Sequence, residues 1–307
     1  AIFIDYGSSV VRSCIMISAY YISVVLQRKP DLLHAMAVAA FGILIADTNQ
    51  FFDVGFQLSF VAVFGIFWLN QPILKYLPKP KNNFQNFMVN VVSISIAAQI
   101  VTLPLVIFYF HQYSFISIVA NLIVIPFSEI LIIFSLLMTV LIEFSVQINW
   151  LNFIYDQLVT KALQLIHFFA DLDFAFHRMI PMTLLEMGVA FVVIWFLRFA
   201  VKKLSLKNVL KISYFIILFV ALRFLLNYRA SQISEVLVHH YYKDDIISVK
   251  TKDKVQFVLK GSENMKKIEK FVIEPYLTSR RINTYETEII PDDVRKIVIN
   301  GKEYHLK

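Results

Sequence analysis

The sequence predicts an all-α polytopic membrane protein, with about seven transmembrane helices and one amphipathic helix, that ends in a small α+β tail. Of its 307 residues, 58% are hydrophobic and only 17% are charged, whereas soluble domains carry roughly 25% charged residues. The hydrophobic residues lie in long blocks, which a soluble core does not require. After Tyr228 the blocks stop and short strand-like segments follow. We therefore predict a membrane domain over residues 1–227 and a soluble segment over residues 228–307, called the tail below.

A helix that crosses the ~30 Å hydrocarbon core of a bilayer needs about 20 mainly apolar residues, because each residue advances the helix by about 1.5 Å. Blocks of roughly this length recur along most of the chain, although the second is rather short. We predict transmembrane helices over residues 10–26, 32–45, 55–69, 87–110, 115–142, 183–201 and 209–226.

The stretch 148–170 differs from these blocks because polar residues recur in it every three or four positions. This period places a single polar stripe on one helix. Such a helix either lies flat in the membrane interface or crosses the membrane with its stripe facing a wet cavity. The stripe consists of Asn152, Asp156, Thr160, Gln164, His167 and Asp171.

Basic loops predict the orientation of the helices. Cytoplasmic loops of membrane proteins are enriched in lysine and arginine, and the basic clusters here lie at 28–29, 75–81 and 202–203. All three face the same side only if the stretch 148–170 crosses the membrane, which places the tail on the outer side. If that stretch lies flat, Lys202 and Lys203 face outward instead. We favour the crossing arrangement.

Short strand-like segments characterise the tail. Strands are predicted over residues 235–242, 246–251 and 255–260, a helix over 263–273, and a hairpin around Asn300-Gly301, since two-residue hairpin turns favour Asn-Gly. The adjacent histidines His239 and His240 point to opposite faces of a strand, so they do not form a metal pair. The basic residues of the tail form either a phosphate-binding surface or a solvated helix face: Lys266, Lys267, Lys270, Arg280 and Arg281.

Polar residues and prolines inside the predicted membrane helices are the candidate functional residues, since a polar group is costly at membrane depth. Each has a structural alternative: amides link helices by hydrogen bonds, Arg12 reaches toward the interface, and Asp53 caps the third helix. Each proline removes a backbone donor, which either breaks its helix beside a cavity or only bends it. The candidates are Arg12, Asp53, Gln57, Ser59, Gln99 and Asn121, with Pro104 and Pro126 as helix breakers.

Four ordered motifs resemble those of the ComEC-type competence protein family. They are Ser-Ser-Val-Val-Arg at 8–12, Asp-Val-Gly-Phe-Gln-Leu-Ser-Phe at 53–60, Thr-Leu-Pro at 102–104 and Ala-Asn-Leu-Ile-Val-Ile-Pro at 120–126. The Gly-Phe-Gln-Leu-Ser block is the most specific, and the resemblance extends over about residues 1–226. It implies the C-terminal part of a channel that passes one strand of DNA across the cytoplasmic (inner) membrane during natural transformation. The family motif positions are occupied by Arg12, Asp53, Gln57, Ser59, Asn121 and Pro126.

The resemblance also implies the partners of such a channel. These are single-stranded DNA, the lipid bilayer, and competence proteins such as a DNA receptor and a cytoplasmic helicase, while a homo-oligomer is left open. A polyanion needs a wet path with cationic or amide donors, which the arginine and amide candidates provide. The sequence has no nucleotide-binding signature. The energy for transport is therefore expected from a partner helicase or the membrane potential, and no cofactor is expected.

Two departures from the family pattern lead to further expectations. The family's earlier part, which includes a soluble N-terminal domain, is absent, so we expect the membrane domain to be N-terminally incomplete. The tail resembles the opening strand pair of the metallo-β-lactamase-like domain that ends many members, but no metal-binding histidine motif follows. The single cysteine, Cys14, excludes an intrachain disulfide framework and a cysteine zinc cluster. We therefore expect a metal-free remnant without nuclease activity, and not an enzyme.

Two other functions are compatible with the sequence. An ion-coupled small-solute transporter would use Glu129, three residues beyond Pro126, as its coupling carboxylate. It would also show an inverted repeat among its helices, of which the sequence has no convincing example. In a DNA channel, Glu129 is instead expected to pair with a cation, such as Arg12, or to face away from the path. A membrane-anchored structural protein is the remaining alternative.

Overall fold

The computed structural model describes residues 8–27, 31–144, 149–172, 176–241, 244–260, 265–282, 284–291, 296–299 and 302–305. Most of the chain is helical, and a small sheet region lies near its C-terminus, which confirms the predicted fold class. The long helices are α1 (Ser8–Val25), α2 (Leu32–Ala46), α3 (Val54–Leu74), α4 (Asn83–Phe110), α5 (Ser117–Glu143), α6 (Asn149–Ala170), α7 (Leu184–Lys202) and α8 (Leu206–Gln232).

Polar side chains fix where several of these helices begin. Asp31 accepts a hydrogen bond from the backbone of the first turn of α2, and Ser205 does the same for α8. Thr183 and Glu186 form a reciprocal capping box at the start of α7. Each cap satisfies backbone N–H groups that have no partner inside the helix. The polar residues between the apolar blocks therefore set the helix boundaries.

Five helices of the described chain, α3, α4, α5, α7 and α8, are long and apolar enough to cross a membrane. The helices α1 and α2 are apolar but shorter. The 15 residues of α2 rise only about 22 Å, less than the ~30 Å thickness of the hydrocarbon core. The seven predicted transmembrane helices thus correspond to five long helices and two short ones, and α2 is followed by a short 3₁₀-helix, Thr48–Phe52.

The two candidate helix breakers lie inside continuous helices. Helix α4 runs through Pro104, and α5 runs through Pro126. Neither proline breaks its helix, so the alternative of broken helices beside a cavity is wrong and the structural alternative remains. Neighbouring groups and small local adjustments can satisfy the carbonyl that a proline leaves unpaired, so a membrane helix continues through it. Helix α3 likewise continues through Pro72 to Leu74, beyond its predicted end.

A close contact between α3 and α4 organises the helix bundle. A Cβ atom on Gly65 of α3 would lie 2.7 Å from the Cβ atom of Val101 on α4, so only glycine permits this approach. The apolar core beside the contact joins α3, α4 and α7 and consists of Trp68, Leu69, Ala97, Val101 and Ile194.

Helix α6 returns the chain along α5. The hydroxyls of Ser135 and Tyr155 lie 3.0 Å apart, which joins the two helices. The two-residue strand β1 (Tyr113–Ser114) precedes α5, and it pairs with β2 (Phe176–His177), which follows α6. The chain therefore runs out along α5 and back along α6, which is the path that the crossing arrangement needs. The described polar stripe of α6 is exposed: Asn152, Asp156, Thr160, Gln164, His167 and Asp171.

The tail contains a four-stranded sheet and a separate hairpin. The sheet order is β3 (Glu235–Tyr241), β4 (Asp244–Thr251), β5 (Lys254–Lys260) and β6 (Thr284–Ile290). The first three strands confirm the prediction, whereas β6, which pairs in parallel with β5, was not predicted. The hairpin forms as predicted from β7 (Lys296–Ile299) and β8 (Lys302–His305). Its turn, Asn300-Gly301, lies outside the described residues.

One helical segment crosses the sheet between β5 and β6. It consists of α9 (Met265–Ile268), a π-helical turn (Glu269–Ile273) and α10 (Glu274–Arg280), so the predicted helix extends further than expected. Parallel neighbouring strands require such a crossover connection. The segment and the sheet enclose the tail core, which includes Ile246, Phe257, Leu259, Ile268, Ile273 and Leu277.

Charged and aromatic groups are paired inside the tail. Glu235 accepts hydrogen bonds from Arg280 and, at 3.0 Å, from the Tyr276 hydroxyl. Burial raises the pKa of Glu235, but these hydrogen bonds outweigh that effect, so the pKa lies below its usual range. His239 contacts Ser248 and His240 contacts Asp245, so the two histidines have separate partners. Among the described residues, no group of three or more His, Cys, Asp or Glu side chains could hold a metal ion.

Candidate functional site

Arg12 and Asp53 form an ion pair that joins α1 to the start of α3. The Arg12 Nη1 atom lies 3.0 Å from Asp53 Oδ1, and Arg12 is only 4% exposed. Arg12 is therefore buried against the start of α3. The same Asp53 oxygen accepts a hydrogen bond from the Phe56 backbone N–H at 2.7 Å. Asp53 is thus both the expected helix cap and the partner of Arg12.

Gly55 leaves the space that the Arg12 guanidinium occupies. A Cβ atom on Gly55 would lie 2.6 Å from Arg12 Nη2 and 3.1 Å from Asp53 Oδ1. Any side chain here would displace the guanidinium or the carboxylate. Gly55 was not among the candidate residues. Its place in the Gly-Phe-Gln-Leu-Ser block was the only sequence signal that could have identified it.

The electrostatics of this ion pair depend on the start of α3. The first turn of a helix carries unpaired N–H groups and a partial positive charge, which disfavours a nearby guanidinium. The Asp53 carboxylate offsets both charges, since it accepts from the backbone and from Arg12. Within the described residues, the buried Arg12 Nε atom has no hydrogen-bond partner. Arg12 therefore keeps donor capacity that the ion pair does not use.

Gln57 connects the start of α3 to the end of α4. Its Nε2 atom donates to the Phe51 carbonyl at 3.0 Å, and its Oε1 atom accepts from the Tyr109 hydroxyl at 2.8 Å. Both ends of the amide therefore form hydrogen bonds within the protein. This agrees with the alternative in which amide side chains link helices. This contact also shows that α3 begins where α4 ends, and we call this end of the bundle the site end.

Gln99 holds the segment between α4 and α5. Its Nε2 atom donates to Ser117 Oγ at 2.9 Å, and its Oε1 atom accepts from the Tyr113 hydroxyl at 3.1 Å. Ser117 Oγ in turn donates to the Ser114 carbonyl at 2.7 Å. Gln99 lies well before the last residue of α4, Phe110, so the chain after α4 folds back along that helix. Ser114 Oγ is buried there without a hydrogen-bond partner among the described residues.

The other candidates do not join these contacts. Ser59 on α3 and Asn121 on α5 are half-buried, and their side chains form no hydrogen bond to any residue that the structure describes. Pro104 is fully buried and Pro126 is half-buried. Glu129 is exposed on α5, and Arg12, the partner suggested for it, pairs with Asp53 instead. The structure thus brings together Arg12 and Asp53, and it puts Gln57 and Gln99 in two separate networks.

The most buried charge cluster was not predicted. Glu186, which is 0% exposed, accepts hydrogen bonds from Thr183 and from Arg281 of the tail. The spacing Thr-x-x-Glu at 183–186 is a capping-box signal, so the cap could have been found from the sequence. The partnership with Arg281 could not, because 95 residues separate the two positions.

Comparison with known proteins identifies the family. A family model described as Competence protein matches residues 1–229. ComE operon protein 3 of Bacillus subtilis (strain 168) is 27% identical over 167 residues, which are 54% of this chain and 20% of that relative. The chain thus spans about a fifth of the length of this curated relative. No solved structure matches the chain significantly. The matched residues include Arg12, Asp53 and Gly55, and the chain belongs to the Competence protein family.

Proposed function

We propose that the chain forms part of a membrane channel that passes single-stranded DNA across the cytoplasmic membrane during natural transformation. Family membership supports a role in competence. The observation that carries the proposal is the buried Arg12 guanidinium, which Asp53 and Gly55 hold against the first turn of α3. All three residues lie in the motifs that resemble the family.

The chemistry of DNA agrees with this arrangement. A DNA strand carries a negative charge at every phosphate, so its path through a membrane must offer cations or hydrogen-bond donors. Arg12 has five N–H donors, and its Nε atom has no partner in the described part of the chain. In the proposed channel, Asp53 neutralises Arg12 when no DNA is bound. Arg12 is only 4% exposed, so a passing phosphate reaches its remaining donors after a local movement that uncovers the guanidinium.

The other candidates have two proposed roles. Gln57 and Gln99 already use their amide groups within the protein, so we assign them to holding the ends of α3, α4 and α5 in place. Ser59 and Asn121 form no side-chain hydrogen bonds to described residues, so we assign them to direct contact with the strand. Pro104 and Pro126 shape their helices.

The proposed orientation places the site end and the tail on the outer side of the membrane. The basic residues 75–81 follow α3, and Lys202-Lys203 lie at the end of α7, which suits the cytoplasmic side. The path along α5 and back along α6 supports an α6 that crosses the membrane. A polar stripe then faces a wet cavity or another protein, because it cannot face lipid.

The remaining parts of the proposal concern partners and chemistry. A DNA receptor would deliver the strand from the outer side, and a cytoplasmic helicase or the membrane potential would supply energy. Self-association stays open. We assign no catalytic step to the tail, so degradation of the second strand would belong to another protein.

Uptake of fluorescent double-stranded DNA by a competent host tests the proposal. Cells would carry the complete gene, a deletion, Arg12→Ala, or the control Arg229→Ala, which removes an exposed arginine at the end of α8. Deletion and Arg12→Ala are expected to leave DNA outside the cytoplasmic membrane and to abolish transformants, whereas Arg229→Ala takes up DNA normally. Normal DNA entry after deletion would reject the proposal in favour of a small-solute transporter or a structural protein.

A further inference from the structure

The end of the helix bundle opposite the site end carries lysines without carboxylates. The Tyr76 hydroxyl, two residues after α3, donates to the Val201 carbonyl near the end of α7 at 2.7 Å, so these two helix ends are neighbours. No aspartate or glutamate occurs in residues 54–128 or 187–234. Within the described chain, the lysines here form no ion pair. We call this region the basic end, and its exposed lysines include Lys75, Lys79, Lys81, Lys202, Lys203 and Lys207.

A pocket of about 360 Å³ lies at the basic end, where the loop after α3 meets the start of α4. Lys79 and Lys81 line its loop side, and Phe84, Met88 and Val89 line its helix side. The pocket thus combines two cations with an apolar wall, and no carboxylate lines it.

Two features hold the lysines beside the helix. The Gln85 Oε1 atom accepts a hydrogen bond from the Lys81 backbone N–H at 2.9 Å, which ties the loop to the first turn of α4. Pro78 and Pro80 flank Lys79, and their fixed φ angles limit the conformations of the loop. The ammonium groups of both lysines form no hydrogen bond to the residues that the structure describes, so all their donors are available to a ligand.

The first two turns of α4 fit the interface between lipid and water. The 28 residues of α4 rise about 42 Å, so about 12 Å of the helix extends beyond the ~30 Å hydrocarbon core. Amide side chains are concentrated in these turns, whereas the last turn, residues 107–110, has none. The lysines that precede α4 therefore lie at the level of the lipid headgroups. The amides of the first two turns are Asn83, Gln85, Asn86 and Asn90.

The lining of the pocket changes from cationic to apolar along the axis of α4. Lys79 and Lys81 precede the helix, whereas Phe84 lies in its first turn. Met88 follows Phe84 by four residues, so the two side chains share one face of the helix. Phe84 is 71% exposed, which leaves an apolar surface open beside the cations and leading toward the membrane centre.

This order selects the occupant. A free phosphate or a nucleic acid would satisfy the lysines but would leave Phe84 and Met88 uncovered. An anionic phospholipid has its charged headgroup at the interface and its acyl chains toward the membrane centre, which is the order of the lining. Basic pockets of membrane proteins at this level recognise such headgroups.

We propose that this pocket binds an anionic phospholipid, with the headgroup phosphate against Lys79 and Lys81 and an acyl chain against Phe84 and Met88. Basic loops also orient the helices across the membrane, but orientation requires only the charges and not the apolar wall. The site is independent of the proposed channel function, because it is defined by the loop after α3 and the start of α4 alone.

Binding of fluorescent phosphatidylglycerol, labelled on an acyl chain, to the full chain in neutral detergent micelles tests the headgroup contact. Lys79→Gln combined with Lys81→Gln is expected to raise the dissociation constant about tenfold or more at low salt, because each basic side chain beside an anionic lipid strengthens binding. The matched control, Lys207→Gln with Lys211→Gln, makes the same charge change at exposed positions of the basic end that do not line the pocket. It should bind nearly as the unmodified chain, and equally labelled phosphatidylcholine, whose headgroup has no net charge, should bind much more weakly.

A second pair of variants tests the apolar wall. Phe84→Ser should weaken phosphatidylglycerol binding, whereas Phe87→Ser should not, since Phe87 is exposed on the same part of α4 but does not line the pocket. Glycerol phosphate and oligothymidylate, which carry the phosphate without acyl chains, should not displace the lipid even in large excess.

Four results would overturn the proposal. Equal losses in the lysine variant and its control would show binding to the basic end as a whole, and equal affinity for the two lipids would remove the preference for an anionic headgroup. Equal effects of Phe84→Ser and Phe87→Ser, or displacement by glycerol phosphate or oligothymidylate, would show that the occupant is a phosphate without a lipid chain.

Discussion

A Gly55→Ala substitution is expected to destabilise the protein, although glycine-to-alanine changes inside helices usually stabilise. Alanine favours a helix over glycine by about 1 kcal/mol. At this position, however, the new Cβ atom would lie 2.6 Å from Arg12 Nη2. The guanidinium is the flexible end of a side chain and can move. Its movement separates it from Asp53 and leaves a buried cation without its partner.

The size of the effect follows from these two opposing terms. A hydrogen bond to a charged group contributes about 1.5–3 kcal/mol, and the lower half of that range applies because the Asp53 side chain is 44% exposed. Strain at Asp53 Oδ1, 3.1 Å from the new atom, adds to the loss. When the gain in helix propensity is subtracted from this loss, we expect a net destabilisation of about 1–2 kcal/mol.

Denaturant unfolding of the purified chain in micelles, followed by tryptophan fluorescence, measures this change. The matched controls are Gly42→Ala in α2 and Gly188→Ala in α7, where an added Cβ atom meets nothing within 4 Å. Both controls should stabilise by up to about 1 kcal/mol. In an Arg12→Ala background, Gly55→Ala should become neutral or stabilising, because the displaced group is gone. If Gly55→Ala stabilises the unmodified chain as the controls do, the assigned geometry of Arg12 is wrong.

Three further changes have expected outcomes. Gly65→Ala should destabilise the protein by about 1–3 kcal/mol in the same unfolding assay, because its Cβ atom would lie 2.7 Å from that of Val101. The effect should persist in an Arg12→Ala background. A stabilised variant would contradict the α3–α4 packing. Tyr109→Phe removes the hydroxyl that donates to Gln57 and should cost about 1 kcal/mol, whereas an unchanged midpoint would show that the bond contributes nothing. The lowered pKa of Glu235 gives stability that is present above about pH 4.5 and lost as the pH falls through the folded-state pKa. Exchange of the backbone amide hydrogens of β3, corrected for the intrinsic rate, should therefore become faster as the pH falls through this range. Glu235→Gln should remove this pH dependence of the exchange rate.

The long helices were predictable because hydrophobic blocks of membrane length leave few alternatives. The first three strands of the tail were predictable because each contains a short run of apolar residues, many of them β-branched or aromatic, which favours a strand. Strand β6 was not, because six of its seven positions are exposed and its sequence has no apolar alternation. Its place is set by parallel pairing with β5 after a helical crossover, which is a tertiary feature.

The candidate site was predictable residue by residue but not as a constellation. Arg12 and Asp53 were each identified as unusual at membrane depth, yet no sequence pattern pairs residues that are 41 positions apart. The sequence left open whether Pro104 and Pro126 break or only bend their helices, and the helices continue through both because packing in a membrane helix tolerates proline. The Glu186–Arg281 contact links parts of the chain with different composition, and no local pattern encodes it.

Photo-cross-linking of incoming DNA in competent cells is the most direct test of the channel. A photoreactive amino acid would replace Ser59 or Asn121, whose side chains have no partner among the described residues, or the control Ile133, which is 69% exposed on α5. The proposed path predicts adducts of a single labelled DNA strand at Ser59 or Asn121 and none at Ile133. DNA that reaches the cytoplasm without forming an adduct at either of the first two positions would contradict it.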